Sequence, residues 1–381
     1  MRRLPLLVSV VVAVDTLFFT ALTPLIPRFA DKYDLSKAGA GALVSAYAAG
    51  TLIGAVPGGL ATIRLGPKRA VLIGLTLMTA ASLGFALAGD VWTLGLSRFF
   101  QGVGSSCSWA GGLAWVIGST PRQRRGELIG TTMGAAVFGA LLGPVLGALA
   151  GVVGTRSAFL GVTAAGAALV GWAATMPAIA PERQPLRAGL AALRERSLVA
   201  GLWLIALPAL LFGVLVVLVP LELNRHGWGS LAIGALFVAT TAIETALNPL
   251  LGRLIDRRGL MAPLRAALVG SIAVSIALAV AKDPALIAPL VIAAGVAYGA
   301  FYTPGMGLIS HGAERVGVAQ GLAFGLMNAC WGVGALVGPA AGGALAGVAG
   351  DSAPYVILAG LCLATYLATR AGRAQPVGQL P

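Results

Sequence analysis

The chain has 381 residues, of which 58% are hydrophobic and only 10% charged, with a mean hydropathy of +0.91 and a net charge of +13. A soluble domain carries about 25% charged residues, so a water-facing globule is excluded. Apolar segments of about 20 residues recur from end to end, the pattern of membrane-crossing helices.

In chain order the pattern predicts twelve spans: 4–27, 38–61, 69–89, 91–117, 127–152, 157–177, 198–221, 230–252, 262–281, 285–309, 317–345 and 353–370. The first holds "VAVDTLFFTALTPLIP", with Asp15 near the middle of an otherwise apolar stretch. A charge at that depth costs on the order of 3 kcal/mol, so its presence calls for a reason. The basic start could belong to a cleaved leader. A retained first helix is the better expectation, because the apolar run continues past Asp15 and no A-x-A-type site closes it. Connections are short, and the longest, 178–197, is expected to be a basic cytoplasmic linker between a six-helix unit at 1–177 and another at 198–381. With the N-terminus inside, one face receives nineteen Lys and Arg, among them Arg122, Arg194 and Arg257, and the other receives six, including Lys32 and Lys37. That bias predicts both termini in the cytoplasm and makes the basicity a matter of topology, with no nucleic-acid partner.

The chain repeats itself. "GGLATIRLGPKR" (58–69) pairs with "LGRLIDRRGLMA" (251–262), so that Gly59, Arg64 and Gly66 match Gly252, Arg257 and Gly259 at an offset of 193. "GALLGPVLGALAG" (139–151) pairs with "GALVGPAAGGALAG" (334–347), matching Gly143-Pro144 to Gly338-Pro339 at an offset of 195. Pro27 and Pro220, expected to close spans one and seven, again differ by 193. A duplicated six-helix unit is the layout of transporters that rock about a central site.

These stretches resemble the major facilitator superfamily over nearly the whole chain. The loops after spans two and eight are similar to its G-x-L-a-D-R-x-G-R-R signature. "SRFFQGVGSS" (97–106) is similar to its fourth-span R-x-x-Q-G signature, with Arg98 and Gln101. "GALLGPVLG" and the "D…P-L-I-P" ending of span one resemble the drug:proton antiporter branch. The resemblance implies an all-α membrane protein of twelve helices in two pseudo-symmetric six-helix bundles. It also implies that Gly59, Arg64, Gly66, Gly252, Asp256, Arg257 and Gly259 act at a conformational gate. In the first loop Ile63 occupies the position of the family's acid, whereas Asp256 is present in the second; the N-terminal latch is therefore expected to be weaker.

Glycines at 139, 143, 147 and 151 share one face of span five, and Gly334, Gly338 and Gly342 repeat the device in span eleven. Such faces let helix backbones approach closely, and Pro144 and Pro339 permit bends. Ordinary tight packing is one reading; as a symmetric pair they are expected to be sliding surfaces between the halves. Ionisable residues at membrane depth mark substrate or proton pathways, which makes Asp15, Arg98 and Glu244 candidates for proton coupling, with Glu222 near the end of span seven. Arg98 has an alternative reading as an interfacial arginine, and Glu244 as a structural hydrogen-bonding hub. Asp15 corresponds to Pro208 in the repeat, so the fold does not demand an acid there. Phe18, Tyr47, Gln101, Trp109, Asn248, Tyr298, Tyr302, Asn328 and Trp331 are candidates to line a substrate cavity, with core packing or lipid contact the alternative. Aromatic faces beside a carboxylate suit an amphiphilic cation.

No cofactor or metal is expected. There is no G-x-x-x-x-G-K-[ST] loop, His226 and His311 are the only histidines, and Cys107, Cys330 and Cys362 show no ligand spacing. The expected function is not enzymatic: a proton-coupled antiporter, a monomer in a bacterial plasma membrane, exporting a small organic compound of amphiphilic or cationic character. Uptake by proton symport or facilitated diffusion, and a non-transporting receptor or assembly factor, are the alternatives.

Overall fold

A computed structural model describes residues 3–120, 125–180, 193–318 and 320–371. The middle of the expected linker (181–192) lies outside them, as do Arg122, the surroundings of Gly252 and the side chain of Asp256.

The described residues form helices joined by short turns. They are α1 (Arg3–Thr20), α2 (Ile26–Tyr33), α3 (Lys37–Leu65), α4 (Pro67–Leu87), α5 (Val91–Gly118), α6 (Arg125–Val153), α7 (Thr155–Thr175), α8 (Arg196–Arg225), α9 (Ser230–Arg258), α10 (Met261–Val280), α11 (Pro284–Gly299), α12 (Tyr302–Arg315), α13 (Gln320–Ala349) and α14 (Ser352–Ala371). Span one is α1 and α2 joined by a 3-10 turn, Thr23–Leu25, and span ten is α11 and α12 broken at 300–301. Eleven helices among the described residues are long and apolar enough to cross a membrane. The twelfth span, α5, is not among them, and it carries Arg98, Gln101 and a run of serines. Pro27 and Pro220 do not close their spans, because α2 runs on to Tyr33 and α8 to Arg225.

Within α1–α7, α1 packs on α6, α3 and α4 on α5, and α4 on α7; within α8–α14, α8 packs on α13 and α12, α9 on α11, and α10 on α14. The two groups meet where α3 packs on α13 and α6 on α9. Large apolar side chains on the outside, such as Leu6, Trp92, Val152, Val280 and Leu367, are exposed, an outer surface suited to acyl chains rather than water. This is a multi-pass membrane protein.

The inter-group contacts are concentrated toward one end. From that end inward, Lys37 pairs with Asp351, Gly41 lies against the Pro339 backbone, Ser45 Oγ donates to Leu336 O (2.9 Å), and Ala48 packs with Ala209 and Ala335. Phe19 and Trp331 meet edge to face at 5.0 Å. Toward the Arg64 end, Gly59, Gly134 and Gly325 would each accept a Cβ with nothing within 4 Å.

The glycine stripes meet the expectation of surfaces between the halves only in part. A Cβ at Gly139, Gly143 or Gly147 would collide with Ala13 O, Thr20 or Ala21 O on span one; at Gly334 or Gly338 it would collide with Ala206 O or Leu210 O on α8. These glycines seat helices inside each group. The same two stretches also make the contact across the groups: Pro339 and Gly343 lie against Gly41, Pro144 O and Ala148 against Gly234, and Gly151 against Ser230.

Candidate functional site

The site is built on α5. The Asp90 side chain caps the helix by accepting from Thr93 N (2.8 Å). Spacings of three and four residues then place Arg98, Gln101, Ser105 and Trp109 on one face. A Cβ at Gly102 would strike Tyr47 O, so α3 and α5 lie backbone to backbone there, and Tyr47 reaches the space between them and α1.

Asp15 lies at the centre, 3% exposed. Tyr47 Oη donates to its Oδ1 (2.8 Å), while Ser105 Oγ (3.0 Å) and Trp109 Nε1 (2.5 Å) donate to Oδ2. Arg98 is 1% exposed and is no interfacial residue. It donates through Nη1 to Phe18 O (2.8 Å) and Gln101 Oε1 (3.0 Å), and through Nη2 to Phe19 O (3.2 Å). The last carbonyls of a helix have no partner within it and attract positive charge; Arg98 thus caps α1 where span one breaks. Its guanidinium stacks over Tyr47 at 4.7 Å, a cation–π contact, and Gln101 Nε2 donates to Ser82 Oγ (3.1 Å). Tyr47 therefore touches the acid with its hydroxyl and the base with its ring.

Beyond Tyr47 an aromatic path crosses between the helix groups. Phe19 lies 5.3 Å from Tyr47 and 5.0 Å from Trp331, and Trp331 packs in one cluster with Tyr302. Tyr302 lies beside Glu244, whose Oε1 is close enough to Gly299 that a Cβ there would overlap it. Glu244 is half-buried and has no hydrogen bond or ion pair among the described residues, so it is not the hub of a hydrogen-bond network.

Twelve spans, a buried acid on a broken first helix and a helix-capping arginine on the fourth set the frame for comparison with known proteins. The Major Facilitator Superfamily profile matches residues 8–324. The chain belongs to the Major Facilitator Superfamily. Members of that family are transporters rather than enzymes. The chain is 28% identical over 246 residues to a chloramphenicol resistance protein of Streptomyces lividans, covering 62% of each. It is 26% identical over 186 residues to a probable sugar efflux transporter of Helicobacter pylori strain G27, covering 48% of this chain and 47% of the other. It is 28% identical over 161 residues to the MFS-type transporter ppzB of Metarhizium rileyi, covering 41% of this chain and 33% of the relative. In each case the match spans less than two thirds of the relative's length. Among solved structures, a bacterial homologue of the lysosomal transporter Spinster, inward-facing and unoccupied, shares the fold at a TM-score of 0.78 with 14% identity, covering 98% of both chains. A D-xylose-proton symporter does so at 0.74 with 18% identity, covering 96% of this chain and 95% of the other.

The other candidates fall as follows. Glu222 lies in the last turn of α8, near the end of its span as expected, and accepts from Arg225 Nη1 (2.8 Å) at the joined end, where Arg225 also reaches Asp351 at 3.4 Å. Tyr298 is a core residue, fully buried, with its hydroxyl 2.8 Å from Ser275 Oγ on α10 and its ring 5.6 Å from Phe212. Phe18 is buried and contributes its carbonyl to Arg98. Asn248 and Asn328 are half-buried, without a hydrogen bond among the described residues. Gly66 and Gly259 hold φ of 91° and 73° at the matching α3–α4 and α9–α10 turns, a backbone that favours glycine. Arg64 and Arg257 are exposed. Sequence reasoning missed Ser105 and Phe19. The spacing from Arg98 and Gln101 to Trp109 would have pointed to Ser105.

Proposed function

We propose that the protein is a proton-coupled antiporter of a bacterial plasma membrane that exports a small organic compound. In this reading it acts as a monomer, with two six-span halves, 1–177 and 198–381, rocking about the central site and both termini in the cytoplasm. The observation that carries this reading is the enclosure of Asp15 by three donors, one of them Tyr47. An ionised carboxylate accepts all three; a protonated one carries in addition an O–H that needs an acceptor of its own, and the hydroxyl of Tyr47 can serve as one. A proton on Oδ1 meets the Tyr47 hydroxyl, which then has to turn, and Tyr47 lies against both Arg98 and Phe19. Proton exchange at Asp15 is thereby linked to the break in span one and to the seam at Phe19–Trp331. The efflux and resistance names of the relatives support the outward direction.

The test is flux in proteoliposomes under an imposed pH gradient. Wild type is expected to drive substrate against its gradient toward the more acidic side. Asp15→Asn keeps shape and hydrogen bonding but cannot exchange a proton, and it should fold, bind a neutral substrate and lose concentrative transport. Flux toward the more alkaline side would establish symport, and wild-type coupling in the variant would remove Asp15 from the mechanism.

A further inference from the structure

We propose that Glu244 is the binding counter-charge for the head group of an amphiphilic, monovalent organic cation. Asp15 is then left to the proton. The proposal deepens the transport reading above and rests on it.

The two carboxyls are placed for different tasks. Asp15 is closed to a ligand: it is 3% exposed and three donors already occupy its oxygens. Glu244 is half-buried, and no described residue donates to it. Gly299, at the end of α11 where span ten breaks, makes room for it, because any side chain there would overlap the carboxyl. Interrupted spans at a repeat interface are where substrates and ions bind in this kind of transporter. An unpaired carboxylate in an apolar setting is costly, and an ammonium or phosphonium head relieves that cost directly.

The surroundings select the rest of the ligand. Tyr302 lies beside Glu244, Trp331 packs with Tyr302, and Phe19 closes the row from the other helix group at 5.0 Å from Trp331. Aromatic faces stabilise a cation and accept apolar substituents. An anionic ligand is disfavoured: Arg98, the arginine at this depth, is held on Phe18 O, Phe19 O and Gln101. A sugar would need many hydroxyl partners, and the row between Phe19 and Tyr302 is mainly aromatic.

The experiment is equilibrium binding to the purified full chain of two ligands of similar shape, methyltriphenylphosphonium and neutral triphenylphosphine oxide. Wild type is expected to prefer the cation. Glu244→Gln should weaken phosphonium binding about tenfold or more while leaving the oxide unchanged, because only the charge pairing is lost. Glu244→Asp keeps the charge and should retain most of the preference, and Asp15→Asn should leave it intact. No preference in wild type, or equal effects on both ligands in Glu244→Gln, would overturn the proposal. Failure of the transport reading shows differently, as absent gradient-driven flux with the binding preference preserved.

Discussion

At the scale of single residues, Tyr47 separates two tasks. Its ring supports Arg98 and its hydroxyl holds Asp15. Tyr47→Phe keeps the first and removes the second. The expected outcome is a folded protein, destabilised by about 1–3 kcal/mol for the donor lost from a buried acceptor, whose substrate-induced proton release is much reduced. Ser105→Ala also removes one donor but leaves the Tyr47 link, so its proton release should stay near wild type. Proton release into weakly buffered detergent solution, read with a pH indicator, checks both. Asp15 was legible in the sequence because it is an isolated acid in an apolar run, and isolation needs no tertiary knowledge. Arg98 was legible as a candidate but not as the cap of α1, since that depends on carbonyls eighty residues away. Ser105 is one of several serines on α5; helical spacing puts it on the face of Gln101 and Trp109, but its contact with Asp15 shows only in the fold. Glu222 was legible as an acid near a span's end, but not its pairing with Arg225 one turn on.

At the scale of elements, hydropathy gives the spans and says little about their joints. Prolines sit in the break of span one, yet Pro208 and Pro220 lie inside the continuous α8. Proline removes one hydrogen bond wherever it falls; in span one the break is accommodated because Arg98 donates to the exposed carbonyls of Phe18 and Phe19. Span four was legible as the apolar run 91–117, although the polar face of α5 lowers its hydropathy. The glycine stripes were legible as close-packing faces but not in their partner, since periodicity says that a face is small without saying what lies against it. Their placement predicts a contrast. Gly143→Leu would drive a side chain into Thr20 and Leu17 O and should abolish a stable α1–α6 contact, a loss of several kcal/mol by overpacking and displaced backbone. Gly59→Leu meets open space and should leave the melting temperature within about 2 °C of wild type, its cost limited to a surface change. Thermal unfolding monitored by size-exclusion of detergent-solubilised protein distinguishes the two.

At the scale of the whole molecule, the joined end is held by ionic and polar contacts between the helix groups. Asp351 binds Lys37 and Arg225, and Asn224 Nδ2 donates to Asp31 Oδ2 at 3.3 Å. Partly exposed ion pairs contribute about 0.2–1 kcal/mol each. Asp351→Asn should therefore shift the balance between closed and open forms of this end by a few-fold without unfolding the protein. Spin-label distances between Lys32 and His226 should show a larger population at long separation. The duplication visible in the sequence has its own expression here. Asp31 and Asn224 differ by 193, the offset of the repeat, so two equivalent positions touch one another. The same exchange relates the contact of α3 with α13 to that of α9 with α6. In a symmetric pair, contact between a position and its own equivalent occurs only at the axis. The seam has the architecture of a dimer interface whose partners share one polypeptide, so the two groups are expected to associate without a covalent link between them. Residues 1–180 and 193–381, made as two separate chains in one membrane, should find each other, co-purify and restore transport that neither fragment performs alone.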